Sequence, residues 1–175
     1  MMTITSGSLT TLASFALATG AWAQAPQPPK DAPKTYTATD ARPVIYTSKA
    51  TIDAGFANKV LILHESEGDH YMVESAQRSS PGAPEVHLKD TDVTYVVKGT
   101  ATLVTGGTVM DLSTQRQGRP GNPHPEYELR GGRIVGGQTF HLQAGDSVVI
   151  PPGVPHQFSE VSAPFYYLNI KVRAD

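Results

Sequence analysis

From residue 44 onward the chain alternates between short apolar or β-branched runs and clusters of Gly, Pro, Asp and Ser. Val60–His64 is a compact apolar run, and His70–Gln77 (HYMVESAQ) closes on Ser79, Ser80, Pro81 and Gly82. Val93–Lys98 (VTYVVK) is the clearest strand signal, and Gly99 and Thr100 turn it into Ala101–Thr105. Gln138–Leu142, Ser147–Ile150, Gln157–Glu160 and Phe165–Val172 repeat the pattern. Runs of this length between breakers predict antiparallel strands. Only Ser48–Ala57 has helical character, with Ser48 as its N-cap and Gly55 as a weak point. Many short strands with one short N-terminal helix predict an all-β fold, a sandwich or a barrel. The stretch 106–137 breaks the rhythm. It carries Pro120, Pro123 and Pro125 near its middle and Gly pairs toward its end, and reads as a long loop that is either a lid or a surface excursion.

The N-terminus follows a different pattern. Leu9–Ala23 (LTTLASFALATGAWA) is uncharged and apolar, too short to span a membrane but of the length of a signal-peptide core. Ala21 and Ala23 flank Trp22 as a small-x-small cleavage site, whereas the first basic residue is only Lys30. The expectation is export, to the periplasm or beyond, with cleavage after Ala23. Gln24–Pro33 holds four prolines in ten residues and reads as an extended tether. The predicted organisation is a signal peptide over 1–23, a Pro-rich tether over 24–43 and one folded domain over 44–175.

Composition narrows the function classes. Among 175 residues, 14 Lys and Arg face 16 Asp and Glu, for a net charge of −2, so no basic surplus exists to neutralise a nucleic-acid backbone. The absence of Cys removes disulfides, thiolate metal sites and thiol catalysis together. Any metal site is therefore built from His and carboxylates, and an exported domain without disulfides relies on core packing alone.

The chemistry concentrates in two places. Glu85 and His87 are two apart, so on a strand both side chains face the same side. Asp92, Thr94 and Val96 share one face of the next strand, and Val93, Tyr95 and Val97 take the other. His156 follows a Pro-Pro-Gly turn where a strand re-enters the sheet. Glu85 reads either as a metal ligand or as a strand-edge charge, and Asp92 either as a ligand or as a strand-start cap. His87 and His156 read either as ligands or as hydrogen-bonded barrel histidines.

Gly145, Pro151, Gly153 and His156 fit G-(x)5-P-x-G-(x)2-H, which resembles the second motif of the cupin superfamily. Glu85, His87, Asp92 and Gly99 keep the spacing of the first cupin motif from its first His onward. Glu85 stands in place of the first His, Asp92 in place of the Glu, Ser79 in place of the leading Gly, and Glu160 in place of a frequent Asn of motif two. The resemblance implies a single cupin-type β-barrel or jelly roll, a double-stranded β-helix, with motifs at 85–99 and 145–160. It also implies that His87, His156, Glu85 and Asp92 converge in the barrel mouth on a divalent Fe, Mn, Zn, Ni or Co ion. A homodimer and a small-molecule ligand or substrate follow from the same likeness, and the charge balance and the short apolar run predict no nucleic acid and no membrane span.

Three functions are then open: a metal-dependent enzyme of oxygenase, isomerase or lyase type, a non-catalytic small-molecule-binding barrel, and a structural barrel with a degenerate metal site. His141 and His124 read as surface or core residues. His64 and His70 bracket Glu65, Glu67 and Asp69 in what reads as a solvated acidic turn. Tyr71, Phe140, Phe158, Tyr166 and Tyr167 read as core or pocket wall. Arg78 reads either as an anion-binding or as a pairing residue.

Overall fold

A computed structural model describes residues 43–65, 68, 70–113 and 127–174. The stretches read as a signal peptide and as most of a tether lie outside these residues, as do His124, Glu67 and Asp69.

The first element is α1 (Lys49–Ala57), and Ser48 caps it as expected: its hydroxyl accepts from the Thr51 N–H at 3.2 Å. Gly55, the weak point of the helix in sequence, is what lets it touch the sheet behind it. A Cβ there would meet Ser75 Oγ at 1.8 Å. Phe56 completes the contact by stacking on Tyr166, with ring centres 4.7 Å apart.

The strands follow in chain order as β1 (Val60–His64), β2 (Tyr71–Arg78), β3 (Glu85–His87), β4 (Asp90–Lys98), β5 (Thr100–Thr105) and β6 (Thr108–Met110). Next come β7 (Glu128–Arg130), β8 (Arg133–Val135), β9 (Gln138–Gln143), β10 (Ser147–Ile150), β11 (His156–Val161) and β12 (Phe165–Arg173). They form two five-stranded antiparallel sheets, β1-β2-β12-β4-β10 and β7-β3-β11-β5-β9, with β6-β8 as a separate ribbon. This is the expected all-β jelly roll. Among the described residues no helix is long and apolar enough to cross a membrane.

The described parts of the stretch 106–137 are more ordered than a loop. Gly106, Gly107 and Gly136 take positive φ, which bends the chain into the β6–β8 ribbon, and β7 joins the second sheet beside β3. Its Pro-rich middle lies outside the described residues.

Side chains from both sheets close one core of Ala76, Val96, Leu103, Leu142, Ile150, Phe158, Phe165 and Tyr167 with their neighbours. The alternation read in β4 holds: Asp92, Thr94 and Val96 are buried, and Tyr95 and Val97 are exposed. On β12, at the centre of the first sheet, the inward row is Phe165, Tyr167, Asn169 and Lys171, all buried. This single strand face therefore runs from aromatic to amide to ammonium. The change marks where the core ends and the site begins.

Candidate metal centre

The site lies between the two inner faces, and each sheet supplies a different kind of group. The second sheet supplies Glu85 and His87 from β3 and His156 from the first position of β11. His156 is the direct cross-strand partner of Glu85. The Pro-Pro-Gly turn is tied to β3 because the Gly153 N–H donates to the His87 carbonyl at 2.8 Å. These contacts bring the two imidazoles to 5.1 Å between ring centres. β3 is flanked by β7 and β11, so Glu85 is not at a sheet edge, and its side chain is mostly buried.

The first sheet supplies Glu74 from β2, Asp92 and Thr94 from β4, and Asn169 and Lys171 from β12. All five are buried. Asp92 and Lys171 are paired across the strands, as are Thr94 and Asn169. Lys171 Nζ donates to Asp92 Oδ1 at 2.7 Å and lies 2.9 Å from His87 Nε2. Asn169 Nδ2 donates to Asp92 Oδ2 at 3.3 Å and to Glu74 Oε1 at 3.4 Å, and its own oxygen accepts from Thr94 at 2.8 Å.

All four expected site residues therefore converge. His87 Nε2 stands 3.7 Å from Glu85 Oε2 and 3.4 Å from Asp92 Oδ2, and His156 Nε2 stands 3.9 Å from Asp92 Oδ2. Among the described residues, Glu85, His87 and His156 each offer a ligand atom within 4.8 Å of the others. Asp92 is beside them, but both its oxygens are engaged by the neighbouring strand.

The donor set fits a divalent ion. His156 Nδ1 lies 3.1 Å from the Val154 carbonyl, which only accepts, so Nδ1 carries the proton and Nε2 keeps its lone pair. Burial depresses the His156 pKa, and the neighbouring His87 adds to this against the pull of Asp92, which favours the neutral ring that a metal needs. Glu85 has its Oε1 held by Arg130 at 3.1 Å, with Arg78 at 3.6 Å, and its Oε2 turned to His87. Arg130 also pairs with Glu128.

Burial alone would raise the pKa of both carboxylates. In Glu85 the charges of Arg130, His156, His87 and Arg78 outweigh it, and in Asp92 the approach of His87, at 3.4 Å, and the charge of Lys171 do so. Both fall below the ordinary carboxylate range. The unfolded chain then takes up protons first as pH drops. Their stabilisation is complete above about pH 4.5 and is lost as pH falls below about 4 toward the folded values. Acid titration of the metal-free protein, followed by circular dichroism, should show this loss, and Asp92→Asn should flatten it. An unchanged acid limb in the variant would remove Asp92 from the account.

Two cavities share Arg78, Glu85 and Tyr167 in their walls. The inner one, about 30 Å³, reaches His87, Asp92, His156 and Lys171, with room for about two waters. The outer one, about 210 Å³, is lined by Val60, Gln77, Arg78, Glu85, Arg130 and Tyr167. Arg78 also donates to the Tyr167 hydroxyl at 3.1 Å, so it has a pairing role.

Other candidates fall elsewhere. His141 is exposed on β9, and Glu160 is exposed on β11, where it accepts from Thr102 at 2.8 Å. His64 packs on the Tyr71 ring. Phe158 and Tyr167 are core, whereas Phe140 and Tyr71 are exposed. The sequence reading missed Lys171, Asn169, Glu74, Glu128 and Arg130. For the two on β12, the period-two alternation of FYYLNIKVR was the available signal.

The family described as Cupin domain, Cupin_2, matches residues 131–171, which include the second motif. A comparison with curated proteins gives no match. Solved structures that resemble the chain include an oxalate oxidase, at 17% identity over 59% of this chain and 42% of that one, with a TM-score of 0.39. The chain thus spans less than half the length of that enzyme. The polyketide cyclase RemF from Streptomyces resistomycificus is 18% identical over 65% and 63% of the two chains, with a TM-score of 0.40. The hydroquinone 1,2-dioxygenase PnpCD, in complex with Cd2+ and 4-hydroxybenzonitrile, is 18% identical over 66% and 64%, with a TM-score of 0.44.

Proposed function

On the premise that the chain is a cupin-fold protein, we propose that it holds a divalent metal ion through Glu85, His87 and His156 and uses it to bind or convert a small polar molecule. The observation that carries this reading is the convergence of two imidazoles and one carboxylate, with donor atoms within 4.8 Å of one another. Such an ion, when bound, supplies Lewis-acid polarisation of an oxygen on the small molecule.

The chain's own residues do the rest. The Val154 carbonyl holds the His156 tautomer, and Arg130 fixes which Glu85 oxygen faces the imidazoles. The inner cavity admits water-sized groups only, so the small molecule occupies the outer cavity and presents one polar end inward. Arg78 and Arg130 line that outer cavity together with Glu85, so its wall presents charges of both signs to a polar ligand. Export belongs to the same reading, supported by the apolar run that ends at Ala23.

Protein stripped with a chelator and titrated calorimetrically, without oxygen, with Fe²⁺, Mn²⁺, Co²⁺, Ni²⁺ and Zn²⁺ should take up a single ion per chain. Absence of saturable binding for all of these ions would overturn the reading.

A further inference from the structure

Lys171 places a protein cation within the ring of metal donors, where neither cupin motif provides for one. Its ammonium is 2.7 Å from Asp92 Oδ1 and 2.9 Å from His87 Nε2. A neutral imidazole has one lone pair, so His87 Nε2 can accept from Lys171 or bind a metal, not both. Nor can the same nitrogen accept from Lys171 and donate to Asp92, 3.4 Å away. Asp92 is equally committed. Lys171 takes Oδ1 and Asn169 approaches Oδ2, while Thr94 and Glu74 hold Asn169 in place.

The fold keeps Lys171 beside Asp92. It lies on the central strand of its sheet, directly opposite Asp92, with 9% of its surface exposed. A lysine in such a place normally needs a paired charge, and Asp92 is that partner.

We propose that Lys171 is an internal competitor for the metal and that it keeps Asp92 out of the ligand set. This rests on the metal reading above and makes it more specific. The ion is held by Glu85, His87 and His156 alone. Asp92, at the position of the cupin Glu, serves instead as the counter-ion of Lys171. Metal entry lifts the ammonium off His87 while its bond to Asp92 persists. The site thus fills only against a resident positive charge, and it is weaker than its donor set alone would make it.

The test is a Co²⁺ titration followed by visible absorption on the wild type, Lys171→Met, Asp92→Asn and the double variant. Lys171→Met should bind Co²⁺ at least tenfold more tightly than the wild type. Asp92→Asn should cost more affinity in the Lys171→Met background than alone, because only there is Asp92 free to become a ligand. If Lys171→Met does not fold because Asp92 is left buried without a partner, the double variant is compared with Asp92→Asn. It should still show the gain from freeing His87.

Equal affinity with and without Lys171, in a wild type that binds Co²⁺, overturns the competition and leaves the metal reading standing. A wild type that fails to bind while Lys171→Met binds supports the competition and overturns the resident metal. Binding by none of the proteins overturns both.

Discussion

Replacing His156 with Ala should lower divalent-metal affinity by more than about 100-fold while leaving the fold intact. Loss of a group that merely orients a ligand costs roughly 10- to 100-fold in metal sites, so loss of one of three ligands lies beyond that range. His156 is also the ligand whose state is best defined. Its Nδ1 donates to the Val154 carbonyl, its ring is buried, and its Nε2 points into the site. Without it only Glu85 and His87 remain, and His87 is the nitrogen that Lys171 already contacts. The apolar core lies farther along the strands, so the thermal midpoint of the metal-free variant should change little. Calorimetric titration of the folded variant measures the effect. A loss of less than threefold would mean that His156 is a structural histidine.

Phe165→Ala should produce the largest loss of stability, about 3–5 kcal/mol. Phe165 has no exposed surface, and its ring lies 5.3 Å from those of both Phe158 and Tyr167. Its backbone is pressed as well: a Cβ on Gly99, at φ 88, would come within 3.2 Å of the Phe165 Cα. The cavity left by the ring therefore has little room to collapse. Urea unfolding of the metal-free protein measures the change. A value below about 1.5 kcal/mol would show that Phe158 and Tyr167 refill the space. In the fraction that remains folded, metal affinity should match the wild type, because the ring touches none of the ligands.

Much of this arrangement was legible in the chain itself. Breakers marked the major strands, Ser48 marked the helix start, and the alternation of Asp92, Thr94 and Val96 marked the inward face of β4. The spacings around Glu85 and Gly145 identified the residues that converge. Local pattern could not reveal the partners brought in by the sheet. Lys171 is 79 positions from Asp92 and lies outside both motifs. As a residue type it suggests a solvated surface, and only the parity of β12 turns it inward. Arg130 was hidden by its setting in a stretch that reads as loop, since three-residue strands such as β7 carry too little periodicity to be seen. Gly55 was misleading for a similar reason: helix propensity counts its cost but not the sheet it lets the helix approach.

The inner face of β12 has a consequence for how this barrel can change. Phe165 and Lys171 share one pleat, so inserting or deleting a residue between them would reverse the side on which one of them lies. A length change there would break the core as well as the site. Point substitutions at 169 and 171 leave the pleat in phase. Only the exchange of one side chain for another changes the site and keeps the core. That leaves charge and hydrogen bonding at two positions as the dials by which a lineage could retune the centre without rebuilding the barrel.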